Sequence, residues 1–240
     1  LSMVGLTVAG PRSRDVLQKL TRTSLANEDF PFMAFRKVDL GMAPVWLSRM
    51  TYTGDLGYEM WMQPEYQRYL FDLLWEAGAE FGIGLFGFRA LITLRLEKNF
   101  GTWFREYRPI YTPLEAGMDR VLKFDHEFIG RSAVEAERAA GGPRRKLTMF
   151  VVDPDPHSPA DVIGDEPIWH VTDGEARVVG WVTSGGYAHY CGVSLAWGYV
   201  PSQLATPGTT GFEIEIIGNR RPARLQLEPV LDPAGLRMRS

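Results

Sequence analysis

Beyond Lys146 the chain breaks into short runs rich in β-branched and aromatic residues, each ended by turn-forming residues. This spacing constrains the fold more than any other feature. The runs are KLTMFVVD, EPIWHV, ARVVGWVTSGG, VSLAWGYV and GFEIEIIGNRRPARLQLEP. Strands this closely spaced, with turns between them, predict a small β-barrel. The last pair is the plainest. Ile214 and Ile216 alternate with Glu213 and Glu215, a turn is expected at Gly218–Asn219, and Ala223, Leu225 and Leu227 then alternate with Arg224, Gln226 and Glu228.

Upstream the pattern is different. MVGLTVAG reads as a strand, and a short helix follows within Gly10–Arg22, with Ser13 as its expected N-cap and Val16, Leu17 and Leu20 on one stripe. FRKVDLGMAPVWLSRMTYT predicts two strands about a turn at Gly41, and MTYTGDLGYEMWM a hairpin. PEYQRYLFDLLWEAGAEFG places Tyr66, Tyr69, Leu70, Leu73, Leu74 and Ala77 on one helical face, opened by Pro64 and closed by Gly78 or Gly82. A further helix, GFRALITLRLEKN, is expected to end near Asn99.

The class is therefore α+β, with helices on a mainly antiparallel sheet. Residues 101–120 read as an irregular connection, and DHEFIGRSAVEAERAAGG as a short helix between Gly130 and the Gly141–Gly142 pair. Three segments result: 1–100, 101–145 and 146–240, with a boundary near residue 145.

Composition excludes some functions. A net charge of −3 argues against a protein that tracks nucleic-acid phosphates, which usually shows a basic face. No apolar run approaches the roughly 20 residues that span a bilayer. The first residues do not read as a signal peptide. Cys191 is the single cysteine, which points to a reducing, cytoplasmic setting and to no disulfide or CxxC metal clip. The four histidines lack metal-ligand spacing, so no metal is expected. The chain opens without an initiator methionine and inside an apparent strand, so it is expected to be part of something longer.

In MTYTGDLGYEMWM, a four-residue GDLG loop closed by Thr53 and Tyr58 would set Tyr52 opposite Glu59. Their Cβ atoms would then lie roughly 4.5–5.5 Å apart on one face. A carboxylate beside an aromatic ring suits a flat ligand with two parallel N–H donors, such as a guanidinium or a 2-amino-4-oxo pterin. The competing reading, an ordinary surface pair contributing about 0.2–1 kcal/mol, is the default from spacing alone.

Arg89 lies in the first turn of its helix, where the macrodipole prefers acids, so it points either to an anionic partner or to an acidic neighbour such as Glu59. WFREYRPIYTP mixes Trp103, Tyr107 and Tyr111 with Arg105 and Arg108, a composition for a flat anionic ligand or for packing between domains. SGGYAHYCG matches no phosphate loop and reads as a turn.

Four segments in order, YTGDLGYE, LRLEKNFGTW…YTPLEAG, FIGRSA and GWVTSGGYAHYCGVSLAWGYV, resemble the glycine-cleavage T-protein (aminomethyltransferase) family. The wording is most similar to the C-terminal folate module of FAD-dependent dimethylglycine and sarcosine dehydrogenases, above all in RLEKNFGTWFREY and RPARLQLEPVLDPAGLRMR. The resemblance implies a folate-binding α+β region followed by a C-terminal β-barrel. It implies tetrahydrofolate as cofactor, with Glu59 holding the pterin, Tyr52 lining the same pocket and Arg89 contacting folate; Trp103 joins these as a candidate.

The implied activity is transfer of a one-carbon unit from a small methylated amine or aminomethyl donor to tetrahydrofolate, giving 5,10-methylenetetrahydrofolate. FAD is implied only where an upstream amine-dehydrogenase domain exists. The family's first half, with an aspartate that orients the folate amine, would precede Leu1, and no catalytic residue is assigned here. A non-catalytic folate-binding module and a folate-dependent demethylase are the open alternatives.

Overall fold

The computed structural model describes residues 2–240, and the chain divides into two compact units, Leu1–Lys98 with Leu231–Ser240, and Asn99–Val230. The expected boundary near residue 145 falls inside the second unit. The irregular connection belongs with the barrel because Glu115 accepts from the Leu147 N–H through its carbonyl (2.9 Å) and from the Arg145 guanidinium through its carboxylate (3.0 Å). Residues 231–240 return to the first unit, where Leu231 and Met238 are buried. Isolated hydrogen bonds and two apolar anchors leave no periodic trace in a sequence.

The first unit holds β1 (Val4–Ala9), α1 (Ser13–Gln18), β2 (Phe35–Leu40), β3 (Ala43–Ser48), β4 (Gly57–Met62), α2 (Gln67–Gly78) and α3 (Phe88–Glu97). The strands form an antiparallel sheet in the order β1-β4-β3-β2, which leaves β1 at an edge. Alternation sorts the side chains. Val45, Leu47, Tyr58, Met60 and Met62 face the core, where Val16 and Leu17 of α1 and Leu70, Leu74 and Ala77 of α2 cover them. Ser13 proves to be the first helical residue and not the N-cap; its hydroxyl donates to the Leu56 carbonyl (3.2 Å). A 3-10 turn, Pro64–Tyr66, leads into α2, and Gly82, at φ +71°, ends the helical path that follows it.

The second unit holds α4 (Arg131–Ala139) and six strands, β5 (Arg145–Val152), β6 (Pro167–Thr172), β7 (Glu175–Ala188), β8 (Val193–Pro201), β9 (Phe212–Ile216) and β10 (Asn219–Gln226). They close a barrel in the order β10-β5-β8-β7-β6-β9. Phe150, Ile168, Val182, Phe212, Ile214 and Ile216 fill it, with Phe150 and Phe212 edge-to-face at 4.9 Å. Glu215 points outward, accepting from the Trp169 indole N–H (2.8 Å).

Two local expectations shift here. The β9–β10 turn is Ile217–Gly218 (φ +48° and +77°), one residue earlier than expected, because Asn219 already pairs with Ile216. SGGYAHYCG is not all turn: Ser184–Ala188 continue β7 against β8, and the chain reverses only beyond them, where Gly192 (φ +71°) donates to the Ala188 carbonyl (2.7 Å).

Candidate functional site

β4 is two-faced. While Tyr58, Met60 and Met62 enter the core, Glu59 and Trp61 take the opposite face, which no helix of α1 or α2 covers. Glu59 pairs with Thr7 of β1 on one side and Ser48 of β3 on the other, so a half-buried carboxylate sits in a row between two hydroxyl-bearing residues. The next row is aromatic. Trp61 pairs with Trp46, the Trp61 ring lies over Gly5 of β1, and Trp46 stacks on Phe35 at 5.2 Å with planes 9° apart. Phe35, Trp46 and Trp61 are 57%, 41% and 42% exposed, far more than aromatic side chains buried for stability alone.

This register corrects the predicted hairpin. Tyr52 does not face Glu59; Ser48 does, and residues 49–56 form a wide irregular connection between β3 and β4. The cause is Arg49. Its N–H donates to the Ala34 carbonyl (2.9 Å) and its carbonyl accepts from Met33 N–H (2.9 Å), which draws the chain away from β4. The buried Arg49 guanidinium also donates to the Phe30 and Ser240 carbonyls (both 2.9 Å). Burial lowers its pKa from the usual arginine value. Thr51 Oγ1 then accepts from Thr53 N–H (3.2 Å), and Gly54 turns the loop at φ +89°. Tyr52 lies half-buried in this loop.

The other two candidates stand elsewhere. Arg89 is exposed in the first turn of α3, beside the equally exposed Phe88, and makes no pair with Glu59. Segment 81–91 with β1, α1 and α2 borders a groove of about 510 Å³ that Thr7, Phe71, Trp75, Phe86 and Leu91 help to line. Trp103 belongs to the second unit, where it is 77% exposed and meets Tyr107 edge-on at 5.7 Å.

Its neighbours serve the barrel. Tyr111 stacks on Tyr199 at 3.7 Å under the Arg145 guanidinium, and Arg105 pairs with Asp165 (2.8 Å). Burial pushes both phenols above the ordinary tyrosine range, so both stay neutral, and the Tyr199 hydroxyl donates to the Glu106 carbonyl (2.7 Å). Glu106, fully buried, accepts from Thr102 N–H (2.8 Å) and the Ser184 hydroxyl (2.6 Å).

The sequence singles out Glu59 as a candidate but does not reveal its setting. Thr7, Ser48, Trp46 and Trp61 could have been grouped with Glu59 only once β4 was placed between β1 and β3. The alternation of GYEMWM was the visible signal, because it puts Glu59 and Trp61 on one side.

A helix-covered antiparallel sheet with a carboxylate on its open face, followed by a six-stranded barrel, defines a two-part architecture that comparison with known proteins recognises. Residues 2–126 match the GCVT N-terminal domain and residues 145–232 the glycine cleavage T-protein C-terminal barrel domain. The chain belongs to the glycine cleavage T-protein family.

It is 39% identical over 230 residues to human mitochondrial dimethylglycine dehydrogenase, covering 94% of this chain and 25% of that protein. It is 30% identical over 241 residues to the mouse mitochondrial pyruvate dehydrogenase phosphatase regulatory subunit, covering 94% and 27%. Its fold matches the crystal structure of glycine cleavage system aminomethyltransferase T from Bartonella henselae, with a TM-score of 0.80, 22% identity, and 97% and 61% coverage. The chain thus spans about a quarter of the length of these two relatives.

Proposed function

We propose that this chain is the folate-binding portion of a one-carbon transfer protein of the aminomethyltransferase or dimethylglycine/sarcosine dehydrogenase type. The observation that carries the reading is Glu59, a half-buried carboxylate in a row with Thr7 and Ser48 and bordered by Trp61 and Trp46. The donor set suits the group. A 2-amino-4-oxo pterin presents two parallel N–H donors to a carboxylate, and its flat ring has aromatic surface to lie on. Thr7 and Ser48 hydroxyls would orient the carboxylate, and Tyr52 would contribute from its loop.

Bound tetrahydrofolate would supply the nitrogen that accepts the one-carbon unit. This chain's share is to bind the pterin, fix its orientation and keep water from the apolar side of the ring. The donor would be a small methylated amine or aminomethyl group, handed over from an FAD-linked dehydrogenase portion where one accompanies the chain.

Isothermal titration with tetrahydrofolate tests the reading, using the longest form of the protein. Replacing Glu59 by Gln removes the charge and turns one acceptor into a donor. Hydrogen bonds to charged groups contribute about 1.5–3 kcal/mol, so affinity should fall roughly 10- to 150-fold. Unchanged affinity in Glu59→Gln would sink the assignment. A second reading, folate binding without transfer, draws support from the regulatory subunit among the relatives. Tight binding with no methylenetetrahydrofolate formed from dimethylglycine or sarcosine would favour it.

A further inference from the structure

The loop that replaces the expected hairpin is tied at both ends to the C-terminal tail. At its start, the Arg49 guanidinium donates to the Ser240 carbonyl (2.9 Å), which also accepts from Arg14 (2.7 Å). Near its end, Asp55 pairs with the Arg237 guanidinium at 2.7 Å, each side chain about a third exposed. Tyr52 lies between these two ties. Gly54 rests on the methylenes of Lys98: a Cβ there would come within 3.3 Å of Lys98 Cγ, and its φ of +89° suits glycine.

The tail is itself held in register. Leu231 N–H donates to the Glu97 carbonyl (2.9 Å), and the buried Lys98 ammonium donates to the Asp232 carbonyl and lies 3.5 Å from its carboxylate. Asp232 accepts from the N–H groups of Leu236 (3.0 Å) and Arg237 (2.9 Å). A continuous set of polar contacts thus runs from the end of α3 through Asp232 and Arg237 to Asp55. Apolar packing of this segment needs Leu231 and Met238, but not a guanidinium aimed at the Arg49–Leu56 loop.

We propose that Leu231–Ser240 is a strap that sets the conformation of the Arg49–Leu56 loop, with Arg237 and Asp55 as positioning residues for ligand binding through Tyr52. The ligand half rests on the folate reading above; the conformational half stands on the contacts alone. The test uses the full chain and the variants Arg237→Gln, Asp55→Asn and their combination. Arg239→Ala is the control, because that guanidinium meets the Ala234 carbonyl and the Phe32 ring instead of the loop.

Hydrogen exchange should rise selectively in peptides covering residues 50–56 in either single variant, with the urea midpoint held. Tetrahydrofolate affinity should drop about three- to tenfold, and the double variant should be no worse than the singles, as expected for one shared interaction. The control should match wild type in all three measurements. Unchanged exchange in residues 50–56 would overturn the strap. Faster exchange with unchanged affinity would overturn the positioning role. If the wild-type protein binds no tetrahydrofolate, the folate reading and the ligand half fall together, while the exchange contrast still decides the strap.

Discussion

Gly180 of β7 tests the barrel more sharply than any apolar core position. A Cβ built there overlaps the Tyr199 carbonyl oxygen of β8 and lies 3.0 Å from its carbon. The reciprocal holds at Gly198 of β8, whose Cβ would strike the Trp181 carbonyl of β7 and come within 2.8 Å of Ile168 Cδ1. The two strands therefore approach as closely as they do because neither carries a side chain at these points. Backbone, unlike a flexible side chain, cannot swing aside.

Gly180→Ala must push β8 outward in a sheet closed on itself, and that displacement has no free edge to absorb it. Inserting a methyl into a packed site costs typically 1–3 kcal/mol, and a backbone obstacle puts this case near about 3 kcal/mol. In a chain of this size that lowers Tm by roughly 6–12 °C.

Urea unfolding followed by tryptophan fluorescence measures it, since Trp181 and Trp197 lie on β7 and β8. Gly208→Ala is the comparison. It has open space but a φ of +86°, so only backbone strain of about 1–2 kcal/mol applies. A Gly180→Ala loss no larger than that of Gly208→Ala would refute the close-approach argument.

Three further outcomes are expected. Ser184→Ala withdraws a 2.6 Å donor from the buried Glu106 and should destabilise the barrel unit by about 1.5–3 kcal/mol in the same urea assay, with Ser184→Thr recovering part of it. Burial alone would raise the Asp232 pKa, but the Arg237 and Leu236 N–H groups and the Lys98 ammonium together hold it below the ordinary aspartate value. The stabilisation this implies is complete above the ordinary aspartate range and is lost as pH falls through the lowered value. Wild type should therefore lose stability more steeply than Asp232→Asn as pH falls from about 5 through and below the ordinary aspartate range. Trp61→Ala removes the ring beside Glu59 and should weaken tetrahydrofolate binding by roughly 2- to 13-fold by titration, with the sheet intact by circular dichroism, because a stacking ring contributes about 0.5–1.5 kcal/mol.

Period-2 alternation made much of the fold legible. The barrel strands, the strand pair about Gly41 and the faces of β4 all follow from side chains that point alternately to opposite sides. Glu59 could be singled out because an acid in an apolar strand is locally odd. Its partners were hidden, since pairing β4 with β1 joins residues far apart in the sequence, with three elements between them.

The width of the β3–β4 connection was hidden too, because Arg49 looks like any strand-end arginine until Phe30, Ala34 and Ser240 are seen around it. Local composition singles out Trp103 and a first-turn helix position singles out Arg89, and neither signal reports exposure.

The return of the tail to the first unit has a topological consequence. Because Leu231 N–H bonds to the Glu97 carbonyl, the barrel unit enters and leaves its host at neighbouring points, as an inserted domain does. The first unit must close a gap of roughly 130 residues to acquire its own last segment, an entropic cost of about 4 kcal/mol in the unfolded chain if that gap is a flexible loop. A folded barrel holds its ends at fixed separation and removes much of that cost.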